Sequence, residues 1–195
     1  MRVACHAPAP FGVLTAIYED GVIRRVLFPG EAVEAGVVTD DSLPFAAQMA
    51  EYLEGKRRSF DLPILVPGTP FRQAVYRATM SIPYGSVATY GDVALAAGYP
   101  LAMRAVGTSM KCNPLPILIP CHRVVHKDRH RAAYGGGLHI KQFLLELARG
   151  PAGVAKGDEH LLRLAVRADG LEHVAAAGQA DLVGHLERGV PVAEW

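Results

Sequence analysis

Pro63, Pro67 and Pro70 constrain this 195-residue chain more than any other feature. Each lacks a backbone donor, and each pushes the residue before it out of helical geometry. No regular helix can run through residues 60–70, so with Gly68 the stretch reads as an extended linker. The chain then divides into residues 1–68, residues 69–150 and a tail, 151–195. In the first part, residues 11–18 and 22–28 are rich in strand-forming side chains and flank Glu19-Asp20-Gly21. Asp-Gly between such runs is a strong hairpin signal. Residues 42–54 follow a helical period that puts Phe45, Met49, Tyr52 and Leu53 on one face. Ser42 is the candidate N-cap and Gly55 the stop. A small antiparallel sheet with one helix is expected.

The second part reads as helical. Residues 71–81 carry Phe71, Val75, Ala78 and Thr79 periodically, and Ile82-Pro83-Tyr84-Gly85 turns. Thr89 is the candidate cap of a helix over 90–97, Gly98-Tyr99-Pro100 turns, and 102–110 forms the next helix. Helix, short glycine-containing turn and helix is the helix-turn-helix pattern, whose second helix meets a duplex. A plain helical hairpin packed in a core has the same pattern. Residues 115–120 are an apolar segment with Pro116 and Pro120, expected to be buried. Tyr134-Gly135-Gly136-Gly137 is a loop, and 141–148 a helix. Two further short helices are expected at 159–168 and 171–187.

Half the residues are hydrophobic, 20% are charged and mean hydropathy is +0.17, which excludes global disorder. The net charge of +1 excludes a uniformly basic coat protein. That average hides a segregation: residues 1–69 carry −3, residues 70–150 carry +7, and 151–195 carry −3. A basic module can meet a polyanion, and it can equally be a solvated face. No secretory signal is legible after Met1, and no run of 18 apolar residues suits a membrane span. Cys5, Cys112 and Cys121 are odd in number and lack C-x-x-C spacing, which fits a reducing compartment and a cytoplasmic location.

Pro120-Cys121-His122-Arg123 is the candidate chemistry. A cysteine is a nucleophile only as thiolate, and His122, Arg123 and backbone donors after the proline turn each favour that form. Taken alone, the pair also fits a buried structural cysteine beside a solvated histidine.

The stretch from Asn113 to Val124, N-P-L-P-I-L-I-P-C-H-R-V, resembles the active-site motif of the O6-alkylguanine-DNA alkyltransferases, the methylated-DNA–protein-cysteine methyltransferases. Gly68-Thr69-Pro70-Phe71, Ile82-Pro83-Tyr84-Gly85, Thr89-Tyr90-Gly91, Met103-Arg104-Ala105-Val106-Gly107, Tyr134-Gly135-Gly136-Gly137 and Lys141 match in order and spacing. The resemblance covers about residues 10–150 and leaves the tail uncovered. It implies an N-terminal RNase H-like α/β domain, then a helix-turn-helix, winged-helix-like domain holding the cysteine. It implies that the Cys121 thiolate takes an alkyl group from O6-alkylguanine, with O4-alkylthymine a further substrate, in a flipped-out base of double-stranded DNA. The thioether is not reversed, so the protein acts once.

The implied roles are these. His122 relays the thiol proton and Asn113 ties the recognition helix to the active-site turn. Tyr90 crowds the phosphate and donates to the leaving guanine. Arg104 fills the vacated stack, and Ala102, Met103 and Lys127 face DNA. Tyr134, Gly135, Gly136, Pro116 and Met110 wall the pocket. No cofactor and no metal is implied: Cys5 and His6 are too few for the zinc of some relatives, and His126, His130 and His139 read as surface residues. A monomer without membrane contact is expected, nucleoid-associated if prokaryotic.

The chain departs from the family at Ala148, where a relay glutamate is common. Glu146, two residues away, faces about 200° round the helix, and Asp158 or Glu159 are alternatives. Met103 replaces a small residue, Cys112 a glycine and Tyr76 a tryptophan. Two other readings stand: a lesion sensor that binds without efficient transfer, which Ala148 suggests, and a cysteine hydrolase, which would turn over repeatedly.

Overall fold

A computed structural model describes residues 1–126 and 134–149. The expected hairpin forms: β2 (Gly12–Glu19) and β3 (Val22–Leu27) pair antiparallel, with Glu19 opposite Val22. Asp20 (φ +51°) and Gly21 (φ +79°) both take the left-handed geometry that a primed two-residue turn requires. The sheet is larger than expected. β1 (Arg2–Ala9) pairs with β2 from Arg2 opposite Glu19 to Ala9 opposite Gly12. His6 and Pro8 interrupt its apolar pattern, which is why it was not legible. The flank of β1 beside Pro8 tolerates a missing donor, because β4 (Val38–Thr39) pairs only with Val3 and Ala4. That pairing is parallel, so the sheet is mixed, in order β3-β2-β1-β4, and not purely antiparallel.

Helix α1 (Pro44–Leu53) buries Phe45, Met49 and Tyr52 and contacts β1. Ser42 is not its cap. Ser42 donates its N–H and hydroxyl to Asp40 Oδ1 (3.0 and 2.6 Å), and the helix starts at Leu43-Pro44, where proline's missing donor costs nothing. Gly55 (φ +74°) ends it as expected. The proline-rich segment is extended and fastened to β3: Ile23 N–H donates to Pro63 O at 2.8 Å and Ile64 bridges Ile23.

Helix α2 (Pro70–Met80) is capped by Thr69, whose hydroxyl accepts from Arg72 N–H. After β5 (Ala88–Thr89), α3 (Tyr90–Ala96) starts on a capping box in which Thr89 and Asp92 bond reciprocally. At its end Gly98 (φ +84°) turns the chain, with Gly98 N–H on Leu95 O and Tyr99 N–H on Ala94 O. Helix α4 (Met103–Lys111) packs on α3. β6 (Val124–Val125) pairs in parallel with β5, and α5 (Leu138–Arg149) closes the described chain. The buried side chains form one contiguous cluster, from Cys5 and Leu14 of the sheet to Ile119, Cys121 and Leu144. No described helix is long and apolar enough to cross a membrane. The helices expected at 159–168 and 171–187 lie outside the described residues.

Candidate active site

The site grows from the end of α4. Cys112 caps that helix and is exposed, and Asn113-Pro114 turns the chain into the apolar segment. Leu115, Ile117 and Ile119 are buried to within 1%. Ile117 has φ +72°, an uncommon geometry for a β-branched residue, and its neighbours hold it there: Ile119 N–H donates to Leu115 O at 2.8 Å. Pro120 then starts a 3-10 turn over Cys121–Arg123.

Asn113 organises the segment. Its Oδ1 accepts Leu115 N–H at 3.0 Å, and its Nδ2 donates at 3.0 Å to Ile119 O and at 3.0 Å to Cys121 Sγ. Its own N–H donates to Met110 O at 3.3 Å, so these bonds link the end of α4 to the turn at Cys121. Cys121 is 7% exposed. Burial pushes its thiol above the ordinary range, and the Asn113 donor and then the Lys141 charge oppose that rise.

His122 is fully buried, and neither ring nitrogen has a hydrogen-bond partner among the described residues. Burial first, then the charges of Arg123 and Lys141, hold its pKa well below the ordinary value, so the ring is neutral. Lys141 is 1% exposed and donates to Val124 O at 2.8 Å. Burial lowers its pKa to about 8, against the pull of Cys121. Sequence reading marked Lys141 as a landmark and gave it no role. Nothing local signals that a residue twenty positions on returns beside the sulfur. Arg123, by contrast, is engaged elsewhere: it donates to Ile82 O (2.7 Å) and the Tyr52 hydroxyl (3.4 Å) and lies 5.6 Å from the Tyr84 ring centroid.

Tyr134 stands over the site. Among the described residues its buried hydroxyl makes no hydrogen bond of good geometry, yet it lies close enough to Cys121 that negative charge there, after burial, raises its pKa. Its ring is 6.4 Å from His122 and 5.4 Å from Phe28. Gly135 and Gly136 face the same Phe28, which sequence reading missed. Pro116 is buried in the segment. Met110 lies in the core at 9% exposure, its sulfur 3.8 Å from the Thr79 hydroxyl.

Tyr90, the first residue of α3, is half-buried, with its ring 5.3 Å from that of His126. Burial and then Cys121 raise its pKa. On the outer face of α4, Met103 is 54% exposed and Arg104 is exposed, while Ala102 caps the helix. Tyr90 thus lies between α4, where a Cβ on Gly107 would sit 3.9 Å from its ring, and Cys121, while Met103 packs on Gly91 of α3. Lys127 and His130 lie outside the described residues, as do Asp158 and Glu159. Glu146 is exposed and accepts from Gln142 at 2.6 Å, as its position on the far side of α5 from residue 148 predicts. Among the described residues no group of three His, Cys, Asp or Glu side chains could hold a metal ion.

A neutral imidazole beside a buried thiol, with an amide donor and a buried ammonium favouring the thiolate, suits displacement by sulfur. Comparison with known proteins gives four relevant likenesses. Residues 70–149 match the family model described as 6-O-methylguanine DNA methyltransferase, DNA binding domain. The Methylated-DNA--protein-cysteine methyltransferase of Haemophilus influenzae is 37% identical over 162 residues, 80% of this chain and 90% of that one. The inducible enzyme of that name from Bacillus subtilis is 42% identical over 126 residues, 64% of this chain and 69% of that one. Among solved structures, Mycobacterium tuberculosis OGT in complex with DNA superposes with TM-score 0.71 at 30% identity, covering 83% of this chain and 99% of that one.

Proposed function

This chain belongs to the methylated-DNA–protein-cysteine methyltransferase family, and we propose that it repairs DNA by moving an alkyl group from guanine O6 to Cys121 Sγ. The Cys121 sulfur attacks the alkyl carbon in line. The S–C bond forms, the C–O bond breaks, and guanine leaves with the electron pair. The thiol proton passes to the neutral His122 ring, and a proton returns to the guanine, for which the Tyr90 hydroxyl is the donor. The thioether has no easy reverse, so each molecule acts once. This displacement needs no metal or organic cofactor.

The observation that carries the reading is the Asn113 amide donating to Cys121 Sγ at 3.0 Å, beside a fully buried His122 that is free to accept a proton. DNA as partner is supported by the DNA-binding family model and by the DNA complex of the mycobacterial relative. The target atom lies inside a stacked duplex, so the base must be extruded. Helices α3 and α4 act as a helix-turn-helix within a winged-helix-like unit, residues 69–150. Arg104 fills the gap in the stack and Tyr90 crowds the phosphate, while Met103 and Ala102 face the groove. The first unit, 1–68, is RNase H-like. The protein acts as a monomer on double-stranded DNA bearing O6-alkylguanine, and Tyr134, Gly135, Gly136 and Pro116 wall the pocket that receives the base.

A second reading draws on one observation: with Ala148 in place, His122 has no carboxylate partner among the described residues. The protein then binds lesions with little transfer. Incubation with a duplex containing one O6-methylguanine, followed by intact mass, separates the two. One added methyl that maps to Cys121 and is lost in Cys121→Ala supports transfer. Tight lesion-selective binding without mass gain supports the sensor. The absence of both mass gain and lesion-selective binding would sink both readings.

A further inference from the structure

The end of β3 reaches both sides of the active-site segment. Val26 N–H donates to Pro114 O at 2.8 Å, one residue from Asn113. Two residues on, the Phe28 ring meets Tyr134 edge to face, with centroids 5.4 Å apart and planes at 73°. A Cβ on Gly136 would lie 2.5 Å from the Phe28 ring, and one on Gly135 at 3.7 Å. The glycine at 136 is therefore demanded by the aromatic ring of the first unit. Phe28 is itself held. Its N–H donates to Glu31 Oε1 at 3.2 Å, and the other oxygen of that carboxylate pairs with Arg25 at 3.0 Å.

We propose that Phe28 is a positioning and specificity-determining residue: its ring sets how far the Tyr134–Gly136 loop stands from Cys121, and so the size of alkyl group that the pocket accepts. This rests on the reading that the loop walls that pocket. The other ring contact of Tyr134 among the described residues, with His122, is longer at 6.4 Å, and the Phe28 contact joins residues more than 100 apart in the chain. A phenyl ring is stiff and filled on both faces, so it fixes a distance where an aliphatic chain would adapt. Deleting it lets the loop withdraw and gives space to a larger adduct.

The test uses the full chain and duplexes carrying O6-methylguanine or O6-benzylguanine, with single-turnover rates read by intact mass. Phe28→Ala is expected to raise the benzyl-to-methyl rate ratio by about tenfold, the scale on which a pocket reads a small change in ligand size. Phe28→Tyr should keep the wild-type ratio. Gly136→Ala should slow transfer in the wild type and cost little in the Phe28→Ala background, because the clashing ring is gone. Phe28→Leu provides the same readout if the alanine variant fails to fold. Equal losses on both substrates, with Gly136→Ala equally harmful in both backgrounds, would overturn the proposal and leave Phe28 a packing residue. Absence of methyl transfer by the wild type would instead refute the function on which it rests.

Discussion

Replacing Asn113 with alanine removes three hydrogen bonds, and their consequences separate. Leu115 is 0% exposed, so its freed N–H finds no water, whereas Ile119 O keeps the Cys121 N–H at 2.7 Å. One unsatisfied buried group costs about 1–3 kcal/mol, and a loss near 2 kcal/mol in all is expected. The third bond, at 3.0 Å to Sγ, acts on reactivity. A donor is worth about 1.5–3 kcal/mol to a charged acceptor and about 0.5–1.5 to a neutral one. The difference of about 1 kcal/mol or slightly more corresponds to nearly one pKa unit. Burial already holds the thiol high, so below its pKa the thiolate fraction, and with it the transfer rate, should fall about tenfold. Asn113→Asp is the sharper control. An ionised carboxylate 3.0 Å from the sulfur opposes the thiolate by about 5 kcal/mol at an effective dielectric of ~20. Single-turnover rates over roughly pH 6 to 9.5, with urea unfolding alongside, give both quantities. An alanine variant that is destabilised yet keeps the wild-type pH–rate profile would refute the electrostatic role of the amide. So would an aspartate variant faster than alanine.

Other consequences follow from buried charge and from caps. Lys141 titrates near 8 in the fold and near 10.5 when unfolded, a cost of about 3 kcal/mol while it is charged. Lys141→Met should therefore stabilise the protein at pH 7 by about 2 kcal/mol after the bond to Val124 O is lost, and slow transfer. Between pH 8 and 10.5 the unfolded state holds more protons on this group, so wild-type stability rises and the advantage of the variant should vanish. A pH-independent difference would argue against a buried ammonium. His122 stays neutral in the fold, so the unfolded state takes up its proton first as pH falls below about 6.5. Stability should then drop by about 1.4 kcal/mol per pH unit from this group, a slope that His122→Gln removes. Thr89→Ala breaks the capping box of α3 and should lower stability by about 1 kcal/mol in urea titration.

Much of this fold is legible locally, because local forces decide it. Asp20-Gly21 needs no tertiary context to turn, and Thr89 with Asp92 closes α3 on its own atoms. The 3.6-residue period likewise places Glu146 away from position 148. Where local pattern failed, distant partners had decided. β1 forms through Pro8 because β4 leaves that flank uncovered, and β4 is two residues whose only reason to be extended is Val3 and Ala4. Ser42 lost the cap because Asp40 took both its donors. At the site, Cys121, His122 and Asn113 stood together in the chain, while the residues that shape their chemistry did not. Lys141 arrives on α5 and Phe28 directly after β3, and no short-range periodicity marks either.

The 7% exposure of Cys121 has a consequence for the protein between encounters with damage. A sulfur that can be used only once is exhausted equally by the right alkyl group, a stray electrophile or a peroxide. Oxidation and unselective alkylation run through the thiolate and need access. The resting site offers neither in quantity, since burial both covers the sulfur and keeps it protonated. Its reactivity is then released mainly when an extruded base fills the pocket and brings its carbon to the sulfur. The idle lifetime of each molecule is thereby set by chain turnover, and the loaded fraction of the population becomes a record of lesions met.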